Sequence, residues 1–166
     1  MPSFKAYGGA SLCVIQKNKG TMKQTTIKIT TERNDKEQQI DVRICYCAAT
    51  ERGFEEMSGK NVNIFWPTFG KDEEGKDVIK EPPTANNSDY ITLALAGIIA
   101  AYAAKDEESP VTSADILYHT TPNEVTTLIT TIIQLRNDWY GITKVVKDML
   151  DAEKPESNKQ DEGEKN

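Results

Sequence analysis

His119 is the only histidine of the chain, so any Ser-His-Asp or Cys-His relay would have to pass through it. It stands just before Thr120-Thr121-Pro122, a helix start, where a structural or exposed imidazole is the default. Three cysteines are present, Cys13, Cys45 and Cys47. Cys45-Tyr46-Cys47 is a C-x-C with no second pair, so a zinc site would need ligands borrowed from elsewhere. An odd number of cysteines without framework spacing fits reduced thiols in a cytoplasm. No glycine-rich phosphate loop follows any candidate strand. Glu51, Glu55 and Glu56 gather on one helical face; a solvated face is the first reading, a partner-binding face the second. These residues give no catalytic, cofactor-binding or metal site, and the expectation is a protein that is not an enzyme.

Charge narrows the partners. The formal net charge is −6, which opposes nonspecific binding to nucleic acid, where lysine and arginine must neutralise phosphates. It equally opposes anionic membrane surfaces. The apolar stretch Leu12–Ile15 is far too short for the h-region of a signal peptide.

The elements that would position these residues follow from periodicity. Residues 1–21 have none and read as a leader, with a short added strand around Leu12–Ile15 as one option. Ile27 and Ile29, then Ile40, Val42 and Ile44, alternate with polar residues on either side of a turn centred on Asn34-Asp35. Period-2 alternation of β-branched residues about such a turn predicts a β-hairpin over 24–44. From Tyr46 the period becomes helical through Ala49, Thr50, Gly53, Phe54 and Met57, with Gly59 placed to cap a helix over 46–58. Asn61–Pro67 is short and apolar, an irregular segment able to pack on the core. Residues 68–88, with Gly70, Gly75, Pro82, Pro83 and the run Lys71-Asp72-Glu73-Glu74, have the composition of a long linker.

The central element is the run Asp89–Ala104. It is apolar on all sides, so it is either a membrane span or a core helix. Tyr90–Ala104 has 15 residues, or roughly 23 Å of helix, short of the ~20 residues a span requires. Acidic residues flank both ends, and Ser88 or Asp89 can cap the start. The core reading is preferred. Thr112 with Asp115 resembles a capping box for a short helix over 112–119. Thr121-Pro122-Asn123-Glu124 is a stronger start for a helix over 122–138. Its apolar face runs through Val125, Leu128, Ile129, Ile132, Ile133, Arg136 and Trp139. Ile142, Val145, Val146, Met149 and Leu150 continue the stripe beyond Gly141 and allow a further helix over 142–151. The acidic segment 152–166 lacks an apolar anchor and is expected to be disordered.

The expected fold is therefore α+β and mainly α. An N-terminal β-hairpin (24–44) packs on four to five helices (46–58, 89–104, 112–119, 122–138 and 142–151), within one domain over 22–151. One rival reading is a helix-turn-helix over 112–138. Its recognition helix would present Thr121, Asn123, Glu124, Thr126 and Thr127, with no lysine or arginine before Arg136. A DNA reader normally places basic residues near the phosphates.

The order of elements carries a resemblance. A hairpin leads to a helix ending Gly53-Phe54-Glu55-Glu56-Met57-Ser58-Gly59-Lys60. A linker and an Ala/Leu-rich helix follow, then the short helix of Pro110–Tyr118, then Thr121–Ile142. This order resembles the tail assembly chaperones of long-tailed bacteriophages and prophages over residues 24–140, where Glu55, Glu56, Ser58, Gly59 and Lys60 match the family's Glu-rich, Ser/Thr-Gly-Lys close. The leader 1–21 and the long linker depart from the compact family pattern. The resemblance implies a protein that coats the tape measure protein, keeps it soluble and helps recruit tail tube subunits. It would act in the cytoplasm of the bacterial host and leave before the virion is complete, using no cofactor, metal, nucleic acid or membrane. A more general phage assembly or interaction module is the wider alternative. A protein of this kind needs apolar surface for a partner helix or for self-association. The candidates are Phe65 and Trp66, the stripe Trp139, Tyr140, Ile142 and Val146, and the small-residue side of the central helix at Ala96, Ala100 and Ala103. For every one of them the competing reading is an ordinary core position.

Overall fold

The computed structural model describes residues 22–142. The anticipated leader strand around Leu12–Ile15, the fifth helix at 142–151 apart from its first residue, and the tail at 152–166 lie outside the described residues. Strand β1 (Gln24–Arg33) pairs antiparallel with β2 (Lys36–Cys45), from Gln24 opposite Cys45 to Arg33 opposite Lys36. Only Asn34 and Asp35 remain as the turn, at φ 54° and 58°. Positive φ at both central residues twists the turn in the same sense as the strands, and Asn and Asp tolerate it best among residues with a Cβ. The alternation holds: Ile27, Ile29, Val42 and Ile44 are buried while Lys28 and Asp41 face solvent.

Helix α1 (Ala48–Ser58) starts two residues later than the periodicity predicts. Tyr46 stays in the extended joint with its side chain buried, and the Cys47 N–H donates to Thr50 Oγ1 at 3.2 Å. Gly59 closes the helix at φ 68°, its N–H donating to the Glu55 carbonyl at 2.9 Å. A 3₁₀ turn (Val62–Phe65) follows and inserts Phe65 into the core. The stretch expected to be a linker contains a second antiparallel hairpin, β3 (Thr68–Lys71) and β4 (Asp77–Glu81). Among the described residues these strands pair only with each other, not with β1 or β2. Their shortness hid them, because four or five residues carry too little alternation to stand out against the charged turn between them.

The central helix α2 (Asn87–Ala103) is capped by Asn86, not by Ser88 or Asp89. Asn86 Oδ1 accepts from the Asp89 N–H, and Asp89 Oδ2 accepts from the Asn86 N–H, each at 3.0 Å. Asp89 thus closes a capping box, and Lys60 Nζ pairs with it at 2.6 Å. Helices α3 (Ser113–Tyr118) and α4 (Pro122–Trp139) begin at Thr112 and Thr121, with Asp115 and Glu124 as the reciprocal partners anticipated.

The four described helices and the first hairpin share one core. The β1–β2 apolar face, α1 and α4 enclose α2, whose residues from Leu93 to Ile98 are all buried. The crossing of α2 over β2 depends on Gly97. A Cβ there would stand 2.5 Å from the Cys45 carbonyl oxygen and 3.0 Å from Ile132 Cδ1. Only glycine lets helix, strand and α4 approach this closely. At the far end of the hairpin, Arg33 grips Asp115 through two bonds, 2.8 and 3.2 Å, and donates to the Pro110 carbonyl at 2.7 Å. The turn of the hairpin is thereby tied to the start of α3. At the close of α2 the Arg43 guanidinium stacks on the Tyr102 ring at 4.2 Å and pairs with Glu107.

Candidate functional site

The residues expected to meet a partner separate into two groups. Phe65, Ala96 and Ala100 are buried within the chain itself, so they are core and not surface. Phe65 packs edge-on against Phe54 and tilted on Tyr90, with ring centroids 4.9 Å apart in each case. Ala96 lies under α1 at Gly53, and Ala100 packs with Cys45 and Ala101. Their small size serves close approach inside one chain rather than between chains. Of that helix face only Ala103 reaches solvent.

Trp66, Trp139, Tyr140 and Ile142 are half-buried and remain in part at the surface. Val146 lies outside the described residues. Trp66 and Tyr140 meet in a T-shaped contact at 4.9 Å, and Tyr140 also lies edge-on to Tyr46 at 6.1 Å. The group that organises this ledge is Arg136, which its spacing placed on the inward stripe of α4 without giving it a role. It occupies a buried position on α4, where its guanidinium stacks over Trp66 at 4.2 Å and its Nη2 donates to the Phe65 carbonyl at 3.0 Å. Its Nε has no hydrogen-bond partner among the described residues. A stacked, planar cation is a role for arginine that lysine does not fill.

Glu51 completes the ledge from below. It accepts the Tyr46 hydroxyl at 2.8 Å and also the Tyr140 hydroxyl. Burial pushes both tyrosines above the ordinary phenol range, and the neighbouring Glu51 carboxylate raises them further. Glu55 Oε1 accepts the Val62 N–H at 3.0 Å. Two of the three acids on this face of α1 are therefore structural acceptors, and Glu56 alone of the three is exposed. Between α1 and Asn61–Asn63 runs a shallow groove of about 260 Å³, lined by Ala48, Glu51, Arg52, Glu55 and Val62.

The groups with chemical potential hold structural positions. His119 caps the end of α3 with Nδ1 3.6 Å from Glu32. Cys45 is buried and its Sγ donates to the Gly97 carbonyl at 3.5 Å; burial pushes its thiol up to about 12. Among the described residues no group of three or more His, Cys, Asp or Glu is arranged to hold a metal ion. At the start of α4, Glu124 Oε1 accepts from Thr30 Oγ1 at 2.8 Å and Gln39 Nε2 at 3.2 Å. The supposed recognition helix is thus fastened to the hairpin, and Thr126 and Thr127 turn their hydroxyls back to the carbonyls of Pro122 and Asn123. No described helix is long and apolar enough to cross a membrane.

Sequence reasoning missed the largest exposed apolar groups. Phe69 and Ile79, 67% and 61% exposed, stand opposite one another on β3 and β4. Leu117 and Tyr118 are exposed at the end of α3. The signal for the first pair was the short apolar-flanked turn Phe69–Ile79 within the charged stretch. Comparison of the chain with protein-family models, with curated proteins and with solved structures gives no match in any of the three.

Proposed function

We propose that this protein is a tail assembly chaperone of a long-tailed bacteriophage or prophage. It binds the tape measure protein, keeps it soluble, and helps bring tail tube subunits to it in the cytoplasm of the bacterial host. The observation that carries the reading is the order of elements. A hairpin, a helix closed by Ser58-Gly59-Lys60, an Ala-rich central helix, a short Thr-capped helix and a longer Thr-Pro-capped helix follow in the order on which the resemblance rests, with the β3–β4 hairpin interposed before the central helix. The function needs no catalytic step, cofactor or metal, and His119, Cys45, Glu51 and Glu124 are engaged in holding the fold. The half-buried ledge of Trp66, Trp139, Tyr140 and Ile142 offers apolar surface for a helical client.

Co-expression tests the reading directly. A tape measure fragment from the same phage genome, insoluble when made alone, should become soluble and co-purify with this chain. A fragment that stays insoluble and unbound in its presence refutes the proposal.

A further inference from the structure

We infer that the β3–β4 hairpin is a docking face for a cationic amphipathic helix of a partner protein. The inference stands on the hairpin itself and not on the identity of the partner proposed above.

A two-stranded hairpin is marginal unless something covers it. This one is exposed along nearly its whole length, with its base held where the Thr84 and Ala85 N–H groups donate to the Ile64 carbonyl at 3.0 and 3.1 Å. One face carries Phe69 opposite Ile79, followed by Lys71 opposite Asp77. The other carries Gly70 opposite Val78, and the Lys80 stem lies over Gly70. Large apolar residues paired in solvent on a charged hairpin mark an interaction surface better than scattered single ones.

Charge selects the occupant. Residues 68–81 hold five carboxylates and three lysines. Lys71 pairs with Asp77 at 3.5 Å, Lys76 pairs with Glu74 at 2.8 Å, and Lys80 lies on the opposite face. The hairpin therefore carries net negative charge, with Asp72 and Glu73 at its tip left without a lysine among these pairs. A second copy would set one acidic tip against another, within a chain of net charge −6. A cationic partner meets it with complementary potential. The mode of docking follows from the strand ends. Pro67 precedes β3, and Pro82-Pro83 follow β4. Prolines lack the N–H that an added strand would need, so both edges are short and blunted. That leaves the face, where two adjacent anchors suit the narrow apolar stripe of one helix.

The test uses the full chain and a fluorescein-labelled Leu/Lys peptide with leucines at i, i+3, i+4 and i+7, read by fluorescence anisotropy. The double variant Phe69→Ser, Ile79→Ser should weaken binding by about tenfold or more, while its circular dichroism matches that of the parent. Because this variant keeps every charge, its loss separates docking from general attraction to an acidic protein. Glu73→Lys with Glu74→Lys should also weaken binding, most strongly at low salt. Unchanged affinity in the Phe69/Ile79 variant overturns the inference. So does sedimentation of the parent as a dimer that this variant dissociates, which would make a second copy the occupant. Tighter binding of a synthetic peptide of residues 1–21 than of the Leu/Lys peptide would assign the face to the chain's own N-terminal segment and overturn it as well. Failure of the peptide to bind the parent chain overturns the inference and leaves the chaperone reading to be decided by the co-expression result.

Discussion

Substituting alanine at Gly97 and at Gly53 should move stability in opposite directions, although both glycines lie inside helices. At Gly97 the new Cβ would stand 2.5 Å from the Cys45 carbonyl oxygen, 3.0 Å from Ile132 Cδ1 and 3.2 Å from Ile44 Cγ1. The first of these atoms is backbone of β2 and cannot turn aside. Relief requires α2 to rise from the sheet, which also stretches the Cys45 Sγ bond to the Gly97 carbonyl. Overpacking of this kind costs about 1–3 kcal/mol, against a gain of roughly 0.5–1 kcal/mol from replacing glycine in a helix interior. The difference, centred on about 1 kcal/mol and reaching about 2.5 kcal/mol, is a net loss, roughly a fivefold or greater fall in the ratio of folded to unfolded chain. At Gly53 the new Cβ meets only Ala96, its Cβ at 3.4 Å and its Cα at 3.9 Å. Gly53→Ala should therefore keep most of the helix gain, roughly 0.5–1 kcal/mol. Urea denaturation followed by far-ultraviolet circular dichroism, extrapolated linearly to water, measures both. A Gly97→Ala protein as stable as the parent, or two variants shifting the same way, would show that α2 does not sit on β2 through Gly97.

Four further outcomes follow from single residues. The two bonds from Arg33 hold the Asp115 carboxyl at about 2, well below its usual range. Its stabilising contribution is present above the unfolded value of about 3.9 and is lost as pH falls towards 2, so Asp115→Asn should flatten the acid limb of a stability-versus-pH curve over that window. Tyr46 and Tyr140 are raised by burial and by Glu51, so they stay neutral in the folded state and oppose ionisation above about pH 10; Tyr46→Phe should leave the phenolate absorbance change at 295 nm unaltered until alkaline unfolding begins. In a Cys13→Ser background, Cys47 should react with a thiol reagent at pH 8 well before buried Cys45, and equal rates would contradict the Cys45–Gly97 contact. Thr31 is fully buried and its hydroxyl has no partner among the described residues, so Thr31→Val should raise stability by about 1 kcal/mol in the same urea assay.

Local chemistry made much of this fold legible in advance. Asn34-Asp35 tolerates the positive φ of a two-residue turn, and alternation on either side sets which hairpin face is buried. Thr112 with Asp115, and Thr121-Pro122 with Glu124, mark helix starts because donor and acceptor lie three residues apart. Gly59 marks a helix end for the same kind of reason. Where two local solutions compete, tertiary contacts choose. Asn86 displaces Ser88 and Asp89 as the cap of α2, and Asp89 divides its carboxylate between the Asn86 N–H and the distant Lys60. Tyr46 leaves α1 because its ring is buried at the hairpin joint and its hydroxyl reaches Glu51.

The candidate surface was less legible, since an apolar residue has the same composition whether a partner or its own chain covers it. Phe65, Ala96 and Ala100 turned inward because Phe54, Tyr90, Gly53 and Cys45 lie across them, and none of these contacts is local in sequence. Leu135, absent from the predicted stripe, is buried while Ile129 and Ile133 are only half-buried, so the covered side of α4 is centred on Leu128, Ile132 and Leu135, a small rotation from the predicted stripe. Arg136 owes its place to Trp66 and the Phe65 carbonyl, some seventy residues earlier in the chain. By itself the sequence determined the Asn34-Asp35 turn, the caps at Thr112, Thr121 and Gly59, and the alternating faces of β1 and β2, because each depends on neighbours within a few residues. Only the tertiary structure decided which apolar groups are core, which polar groups are engaged, and that Phe69 and Ile79 meet in solvent, because burial is a property of residues brought together from distant parts of the chain.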